Sequence, residues 1–289
     1  MTNCKPSKIA IASGKGGTGK TLLATNLATY CGLTKNTLLV DLDVEEPNDF
    51  IFINGAAGSI SYQYKMIPEW EESKCTLCGI CSSSCKYHAV IQLGKVIAVF
   101  NELCHSCYAC SELCPTGALP MKTHKIGEMK TLINRNLTFI ESRLDVGEEQ
   151  AVPLIRQTHD IVDKNYGNFE IQIFDCPPGT SCPVIAATRN ADFIILVTEP
   201  TPFGLNDLEL AVETMKKLEK PIGVVINRHG IGNDEVETYC GQTHIPVLAI
   251  IPFSRKIAGY YSKGKLVYNK DEDIANALRQ IMRFIEKSV

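Results

Sequence analysis

The chain has 289 residues, of which 45% are hydrophobic and 21% charged, with a formal net charge of −3. This length suits roughly two domains of ordinary globular composition. The small negative charge gives no general attraction to nucleic acids or acidic membranes, and no apolar run approaches the ~18 residues of a membrane span, so neither is an expected partner.

The cysteine content is unusual, with 13 cysteines in the chain. The first eight residues, Met1 to Lys8, lack the apolar segment of a secretory signal, so we expect a cytoplasmic protein. Because disulfides are rare in that compartment, the cysteines indicate metal ligation or redox chemistry.

Short apolar strands and amphipathic helices alternate through most of the chain. Strands are expected at residues 8–12, 37–41, 170–175, 193–198, 222–227 and 247–251. Helices are expected at residues 19–33, 150–164, 204–218 and 271–287. The strands are near-continuous runs of Ile, Val and Leu, which are typical of strands covered on both faces. The alternation therefore predicts a doubly wound, mostly parallel α/β sheet.

A glycine-rich loop follows the first predicted strand and opens the first predicted helix. It fits the pattern G-x4-G-K-[ST] and consists of Gly14, Lys15, Gly16, Gly17, Thr18, Gly19, Lys20 and Thr21. The backbone N–H groups of such a loop cradle phosphates at a helix N-terminus. Lys20 would add a cation near the β- and γ-phosphates, and the Thr21 hydroxyl would ligate Mg²⁺.

The second lysine of this loop carries further information. The pattern K-G-G-x-G-K-T resembles the deviant Walker A motif of the MinD/Mrp superfamily of P-loop ATPases. The resemblance implies that Lys15 reaches the nucleotide of a partner subunit, so we expect a homodimer in the ATP state. It also implies that Lys15 and Lys20 are catalytic.

Three later segments are similar to motifs of the same superfamily. Asp41 and Asp43 end the second predicted strand like switch I, where Asp43 would orient the attacking water. Asp175 ends a strand like a Walker B motif, and Gly179 four residues later would sense the γ-phosphate. Asn227 ends another strand, where the resemblance implies adenine recognition and hence ATP. The implied Mg²⁺ site is Thr21, Asp41 and Asp175.

Eight cysteines lie within 40 residues and form an internal repeat. Each copy reads C-x2-C-x2-C-x3-C, and every cysteine of the first copy recurs 29 positions later. The copies are Cys75, Cys78, Cys81 and Cys85, followed by Cys104, Cys107, Cys110 and Cys114.

This repeat resembles a bacterial-type ferredoxin that carries two [4Fe–4S] clusters. In that arrangement three cysteines of one copy share a cluster with the fourth cysteine of the other copy. The first cysteine set would be Cys75, Cys78, Cys81 and Cys114, and the second cysteine set would be Cys104, Cys107, Cys110 and Cys85. A zinc site is disfavoured because three cysteines at this spacing crowd a single tetrahedral ion. Lys86 stands where the ferredoxin pattern usually has proline, so we expect the environment of one cluster to differ from that pattern.

The position of the repeat predicts the domain organisation. The P-loop ATPase domain would comprise residues 1–61 and 123–289, interrupted by an inserted α+β ferredoxin-like domain at residues 62–122. Near the C-terminus, apolar residues of the last predicted helix share one face. We expect this helix to pack on the sheet and not on a membrane.

These features together predict an ATPase in which a nucleotide-driven dimer switch is coupled to electron transfer through two [4Fe–4S] clusters. The expected cofactors are ATP, Mg²⁺ and the clusters, and the expected partners are a second copy and a redox protein or iron–sulfur client. Two alternatives stay open. One is an iron–sulfur cluster assembly or carrier ATPase of the Mrp type, and the other is a positioning ATPase of the MinD/ParA kind with a redox-sensing insert.

Overall fold

The computed structural model describes residues 7–288 of the chain. These residues form two compact units. The first unit comprises residues up to Ile60, Met129–Arg143 and the residues from Ile155 onward. The second unit comprises Ser61–Glu128 and Leu144–Leu154.

Eleven strands are present in the described part of the chain. They are β1 Ser7–Ala12, β2 Thr37–Asp41, β3 Ala56–Pro68, β4 Val90–Leu93, β5 Val96–Val99, β6 Met121–Asn134, β7 Leu137–Leu144, β8 Ile171–Asp175, β9 Phe193–Thr198, β10 Ile222–His229 and β11 Val247–Pro252. Nine of them form one sheet in the order β11-β10-β9-β1-β8-β2-β7-β6-β3.

The centre of this sheet is parallel. Strand β1 lies between β8 and β9, with Ile9 opposite Ile173 on one side and Phe193 on the other. Strands β2, β7, β10 and β11 continue the parallel pairing outward. Because the carboxyl ends of parallel strands lie at the same edge, the loops after β1, β2 and β8 meet there. The mostly parallel α/β sheet expected from the sequence is confirmed.

The α-helices of the described residues are α1 Lys20–Cys31, α2 Ile80–Ser84, α3 Ala109–Glu112, α4 Ala151–Asn165, α5 Cys182–Thr188, α6 Pro202–Lys216, α7 Glu235–Gln242, α8 Arg255–Tyr261 and α9 Glu272–Ser288. The last helix buries its apolar side chains, including Leu278 and Ile281, in the core of the first unit. Packing of this helix on the protein is therefore confirmed. A search of the described helices finds none long and apolar enough to cross a membrane.

The second unit contains the cysteine repeat, and its backbone repeats as well. Three residues with positive φ in the first copy, Leu77, Gly79 and His88, have counterparts 29 positions later in Ser106, Tyr108 and Gly117. Each copy also contributes one short helix, α2 or α3, and the antiparallel pair β4–β5 joins them. Left-handed conformation at leucine, histidine, serine and tyrosine costs free energy. The structure thus holds both cysteine loops in the same strained shape.

Strands β3, β6 and β7 are absent from the elements that the sequence predicts. Their sequences mix Lys, Thr, Ser and Glu with isolated apolar residues, and β3 is exposed over most of its first half. β3 and β6 lack the continuous apolar run that identified β1 and β9 because only part of each is covered. β7 is buried over most of its length, but its buried residues include the polar Thr138, Glu141 and Ser142.

Candidate functional site

The glycine-rich loop joins β1 to α1 at the carboxyl edge of the sheet. Gly17 and Gly19 adopt φ angles of 79° and 101°, which favour glycine. A Cβ atom at Gly19 would lie 2.3 Å from Nδ2 of Asn227, and one at Gly14 would lie 2.1 Å from the carbonyl oxygen of Asp207. Close neighbours therefore leave no room for a side chain at Gly14 and Gly19, and the positive φ favours glycine at Gly17 and Gly19.

Thr21 and Asp175 meet directly beneath this loop. The Thr21 hydroxyl donates to Oδ2 of Asp175 over 2.8 Å. Burial raises the pKa of Asp175, while Lys20 and the Thr21 hydroxyl oppose that rise. A hydroxyl and a carboxylate from adjacent elements form the kind of oxygen pair that binds Mg²⁺.

Asp41 organises the loop that follows β2. Its two carboxylate oxygens accept the backbone N–H groups of Asp43, Asn48 and Asp49 over 3.0, 2.9 and 3.1 Å. The side chain is buried, and burial together with Asp175 raises its pKa well above the ordinary value. In this structure its oxygens are engaged in shaping the loop that carries Asp43.

Asp43 borders the cleft beside Lys20. Burial raises the pKa of Asp43 to about 6, with Lys20 lowering it and Asp175 raising it further. Its carboxylate is therefore less readily ionised than a surface aspartate, although it stays largely charged at neutral pH.

Asp49 is a third buried carboxyl group that the sequence analysis did not identify. It is fully buried, and its carboxyl group lies against the carboxyl group of Asp175. Burial, Asp41 and Asp175 all raise its pKa well above the ordinary value. Only the folded chain reveals this group, because no motif places Asp49 against the Walker B strand.

Lys15 is directed toward Glu199, the residue that follows β9. Its Nζ lies 2.7 Å from Oε1 of Glu199, whose Oε2 lies 3.0 Å from Nη1 of Arg228. Glu199 is thus shared by two cations, one from the glycine-rich loop and one from the end of β10. The sequence analysis missed both of these partners.

A cleft of about 390 Å³ opens beside the glycine-rich loop. Its lining includes the loop and Asp43 together with residues around β11 and α8, such as Phe253, Ile257 and Tyr261. Asn227 also lines it, and its Nδ2 donates to the Thr18 carbonyl over 2.8 Å while its Oδ1 accepts the Arg228 N–H over 2.9 Å. The cleft combines phosphate-binding donors with an apolar wall, which suits a nucleotide.

The eight clustered cysteines separate into two groups of four in the second unit. One small cavity is lined by Cys75, Cys78, Cys81 and Cys114, and another by Cys85, Cys104, Cys107 and Cys110. All eight are free thiols. The structure therefore brings together the members of each cysteine set.

The spacing of the sulfur atoms distinguishes two kinds of metal centre. Within the described part of the chain, no three cysteine Sγ atoms lie within 4.8 Å of one another. Four thiolates around one zinc ion at ~2.3 Å would be only about 3.8 Å apart. A multi-iron cube holds its thiolates further apart, so the donor set fits a cluster better than a single ion.

Backbone N–H groups point at some of these sulfur atoms. The Ala118 N–H donates to Sγ of Cys114 over 3.2 Å, and the Leu77 N–H to Sγ of Cys75 over 3.4 Å. Burial raises the pKa of Cys114, but the backbone N–H groups of Thr116 and Ala118 and the Thr116 hydroxyl outweigh it, so the net shift is downward. Donors of this kind favour the thiolate, which is the form that binds iron.

Comparison with known proteins agrees with the nucleotide cleft. The family model for the CobQ/CobB/MinD/ParA nucleotide binding domain matches residues 9–267. The chain belongs to this family. The match spans both units, so this P-loop family accounts for β1, the glycine-rich loop and the strands that follow.

One relative matches nearly the whole chain, and another matches about three quarters of it. The protein MJ0579 of Methanocaldococcus jannaschii is 31% identical over 284 residues, which are 96% of this chain and 97% of that protein. An iron–sulfur cluster carrier protein of Pyrococcus horikoshii is 25% identical over 231 residues, covering 76% of this chain and 60% of that protein.

Solved structures with the same fold include MinD proteins. The septum site-determining protein MinD of Pyrococcus horikoshii, in complex with Mg-ADP, superposes with a TM-score of 0.62 at 20% identity. The superposition covers 98% of this chain and 96% of MinD. At 20% identity this similarity establishes that the chain has the MinD-like P-loop fold. The activity of the chain has to be argued from its own residues.

Proposed function

We propose that this protein is an ATPase in which a nucleotide-driven dimer switch controls electron transfer through two [4Fe–4S] clusters. The observation that carries the proposal is that one chain combines a P-loop cleft in its first unit with two four-cysteine cavities in its second. In this proposal residues 1–61 and 123–289 form the ATPase domain, and residues 62–122 form an inserted ferredoxin domain.

The nucleotide half of the proposal assigns a role to each residue of the cleft. The backbone N–H groups from Gly14 to Thr21 bind the phosphates of ATP, and Lys20 neutralises their charge. Thr21 and Asp175 hold Mg²⁺, while Asp41 acts through the loop that it shapes. Asp43, which borders the cleft, would orient a water for attack on the γ-phosphate.

The proposed homodimer depends on Lys15. In the proposal its ammonium leaves Glu199 and contacts the ATP of a second copy of the chain. Membership of a family that includes MinD and ParA supports a homodimer of this kind. Closure of such a dimer would carry the loops after β2 and β8 with it, because these loops border the bound phosphates.

In the second unit, the proposal assigns one cluster to each cysteine set. The first cysteine set would hold one [4Fe–4S] cluster and the second cysteine set the other, and each would store a single electron. Four thiolates fill every iron corner of a cluster, which suits electron transfer better than release of the cluster. A redox protein is the partner implied by this chemistry.

Delivery of clusters to client proteins is the second candidate function. It is favoured by the relatives named iron–sulfur cluster carrier proteins in Pyrococcus horikoshii and Aquifex aeolicus, the latter 23% identical over 46% of this chain. A positioning ATPase of the MinD kind would bind a membrane through the apolar face of its C-terminal helix. This function is less favoured, because the apolar face of α9 is buried in the core.

Anaerobic reconstitution with iron and sulfide tests the first proposal. We expect about eight iron atoms per chain and, after reduction, the EPR signals of [4Fe–4S]⁺ clusters. The rate at which the reduced protein passes electrons to a redox dye should then differ between Mg·ATP, Mg·ADP and no nucleotide. Lys20→Ala should abolish that difference while retaining the iron.

Three results would contradict the proposal in different ways. Fewer than four iron atoms per chain would refute the assignment of two clusters. Full iron content with an electron-transfer rate that does not depend on nucleotide would refute the coupling of the clusters to ATP. Activation of an apo-protein acceptor, accompanied by loss of iron from this chain and accelerated by ATP, would favour the carrier function.

A further inference from the structure

A buried lysine lies in the second unit beside one of the two cysteine cavities. Lys65 is 5% exposed, and of the lysines and arginines that the structure describes in this unit it alone is buried. Burial of an ammonium is costly unless an anion accompanies it. A buried cation that no motif explains therefore calls for a functional account.

Strand geometry places Lys65 next to the second cysteine set. Lys65 and Ile67 are buried on the same face of β3, two residues and thus about 6.6 Å apart along the strand. Ile67 packs against Cys104 and Cys85. Between them, the Met66 carbonyl accepts the Ser106 hydroxyl over 2.6 Å, which fixes the strand against the loop of that set.

The ammonium of Lys65 is only partly satisfied. Its Nζ lies 3.0 Å from Oε2 of Glu148, yet neither atom forms an aligned hydrogen bond with any described residue. The other oxygen of Glu148, Oε1, lies 2.6 Å from Nε2 of His124. Glu148 thus divides its charge between two partners, and Lys65 retains donors that no acceptor uses.

Sγ of Cys104 lies 4.0 Å from the carbonyl oxygen of Met66, the residue next to Lys65, so the charge of Lys65 is close to the second cysteine set. No lysine, arginine or carboxylate side chain is in the described lining of either cavity, so the buried lysine near the second set has no counterpart at the first set among the described residues. His105, beside the second set, is exposed to solvent, which screens any charge that it carries.

We propose that Lys65, with its charge adjusted by Glu148, gives the cluster on the second cysteine set a higher reduction potential than the cluster on the first set. This inference rests on the proposed function, since it requires both clusters. A four-cysteine [4Fe–4S] centre becomes one charge more negative when it gains an electron, so a nearby cation stabilises the reduced form. Lys65 would therefore favour the electron on the second cluster through its charge, without accepting the electron itself.

The consequence is a direction for electron flow within the chain. One electron passes from the reduced centre of the first set, which is thereby oxidised, to the oxidised centre of the second set, which is thereby reduced. No proton or further reactant is needed. The electron then comes to rest beside Lys65, so the face near the second cysteine set is where an acceptor would collect it.

An EPR-monitored redox titration of the full-length reconstituted protein at a single pH tests this inference. The wild type should show two one-electron steps, and Cys107→Ser should perturb the step of higher potential. Lys65→Met should make reduction of that cluster about tenfold less favourable, a fall of about 59 mV. Glu148→Gln should shift the same step upward, because it removes the anion and keeps the lysine.

Matched variants separate charge from packing. Lys65→Arg should restore a potential near that of the wild type, and Lys122→Met, which removes an exposed lysine of the same unit, should move neither step. If Lys65→Met fails to fold, the upward shift of Glu148→Gln decides the question.

The failures of the two proposals can be distinguished. Missing iron in the wild type refutes the proposed function. Full iron with unchanged steps in Lys65→Met, equal shifts of both steps, or a downward shift in Glu148→Gln refutes the role of Lys65.

Discussion

The signature lysine of the glycine-rich loop, Lys15, forms an ion pair with Glu199, with 2.7 Å between Nζ and Oε1. The two side chains are 31% and 12% exposed, so the pair is partly shielded from water. If Lys15 acts on the nucleotide of a second copy, this contact must break before it can do so. In that case Glu199 would oppose dimerisation of the nucleotide-free protein.

Glu199→Gln should increase ATP-dependent dimerisation. A partly exposed ion pair contributes about 0.2–1 kcal/mol, so the dimer affinity should rise by up to about fivefold. Analytical ultracentrifugation with Mg·ATP measures this change. Lys15→Ala should prevent dimerisation whether residue 199 is Glu or Gln, and a weaker dimer in Glu199→Gln would mean that Glu199 instead orients Lys15 for its partner.

Asn227 supports the glycine-rich loop in this structure, since its amide donates to the Thr18 carbonyl. The family resemblance implies a different role, recognition of adenine. If the main role of Asn227 is to hold the glycine-rich loop, Asn227→Ala should weaken ATP and GTP binding by a similar factor. Loss of a buried hydrogen bond of about 1–1.5 kcal/mol corresponds to about fivefold to tenfold weaker binding. Isothermal titration calorimetry with both nucleotides measures it. Weaker binding of ATP alone would assign Asn227 to the base.

The sequence predicted the parts of the fold that depend on local pattern. The apolar run of β1, the glycine-rich loop and the cysteine repeat are each contained in a few neighbouring residues, so spacing alone indicates them. Lys65 and Glu148 are 83 positions apart, and Lys15 and Glu199 are 184 apart. Such pairs follow from the order of strands in the sheet, which no local pattern contains.

Asp49 shows the same limit at the candidate site. Nothing in its neighbourhood distinguishes it from Glu45 or Glu46, which also follow β2. Its burial against Asp41 and Asp175 results from the turn after β2, which the Asp41 carboxylate holds in place.

Asp49→Asn should stabilise the protein without nucleotide and metal. The pKa of Asp49 is raised in the folded state, so below the ordinary aspartate pKa this carboxyl group contributes favourably to the free energy of unfolding. That contribution is lost as pH rises through the folded-state pKa. Near neutral pH, asparagine avoids burying a charge beside two other carboxylates. A gain of about 1 kcal/mol would raise Tm by about 2–4 °C.

Thermal melts in EDTA between pH 5 and pH 8 measure this difference. The Tm advantage of Asp49→Asn should grow as the pH rises, whereas Asp160→Asn, which changes an exposed carboxylate of α4, should show none. A variant that is less stable at every pH would show that the Asp49 carboxylate is needed to hold the loop.

The two cysteine cavities predict which double substitutions leave one cluster intact. Cys78 and Cys114 line the same cavity although they belong to different copies of the repeat, and Cys78 and Cys85 line different cavities although they belong to the same copy. Cys78→Ser combined with Cys114→Ser should therefore retain about four iron atoms per chain, because the second cysteine set is untouched. Cys78→Ser combined with Cys85→Ser should damage both clusters. Iron and sulfide analysis with EPR after anaerobic reconstitution distinguishes the two, and the reverse result would mean that each copy of the repeat holds its own cluster.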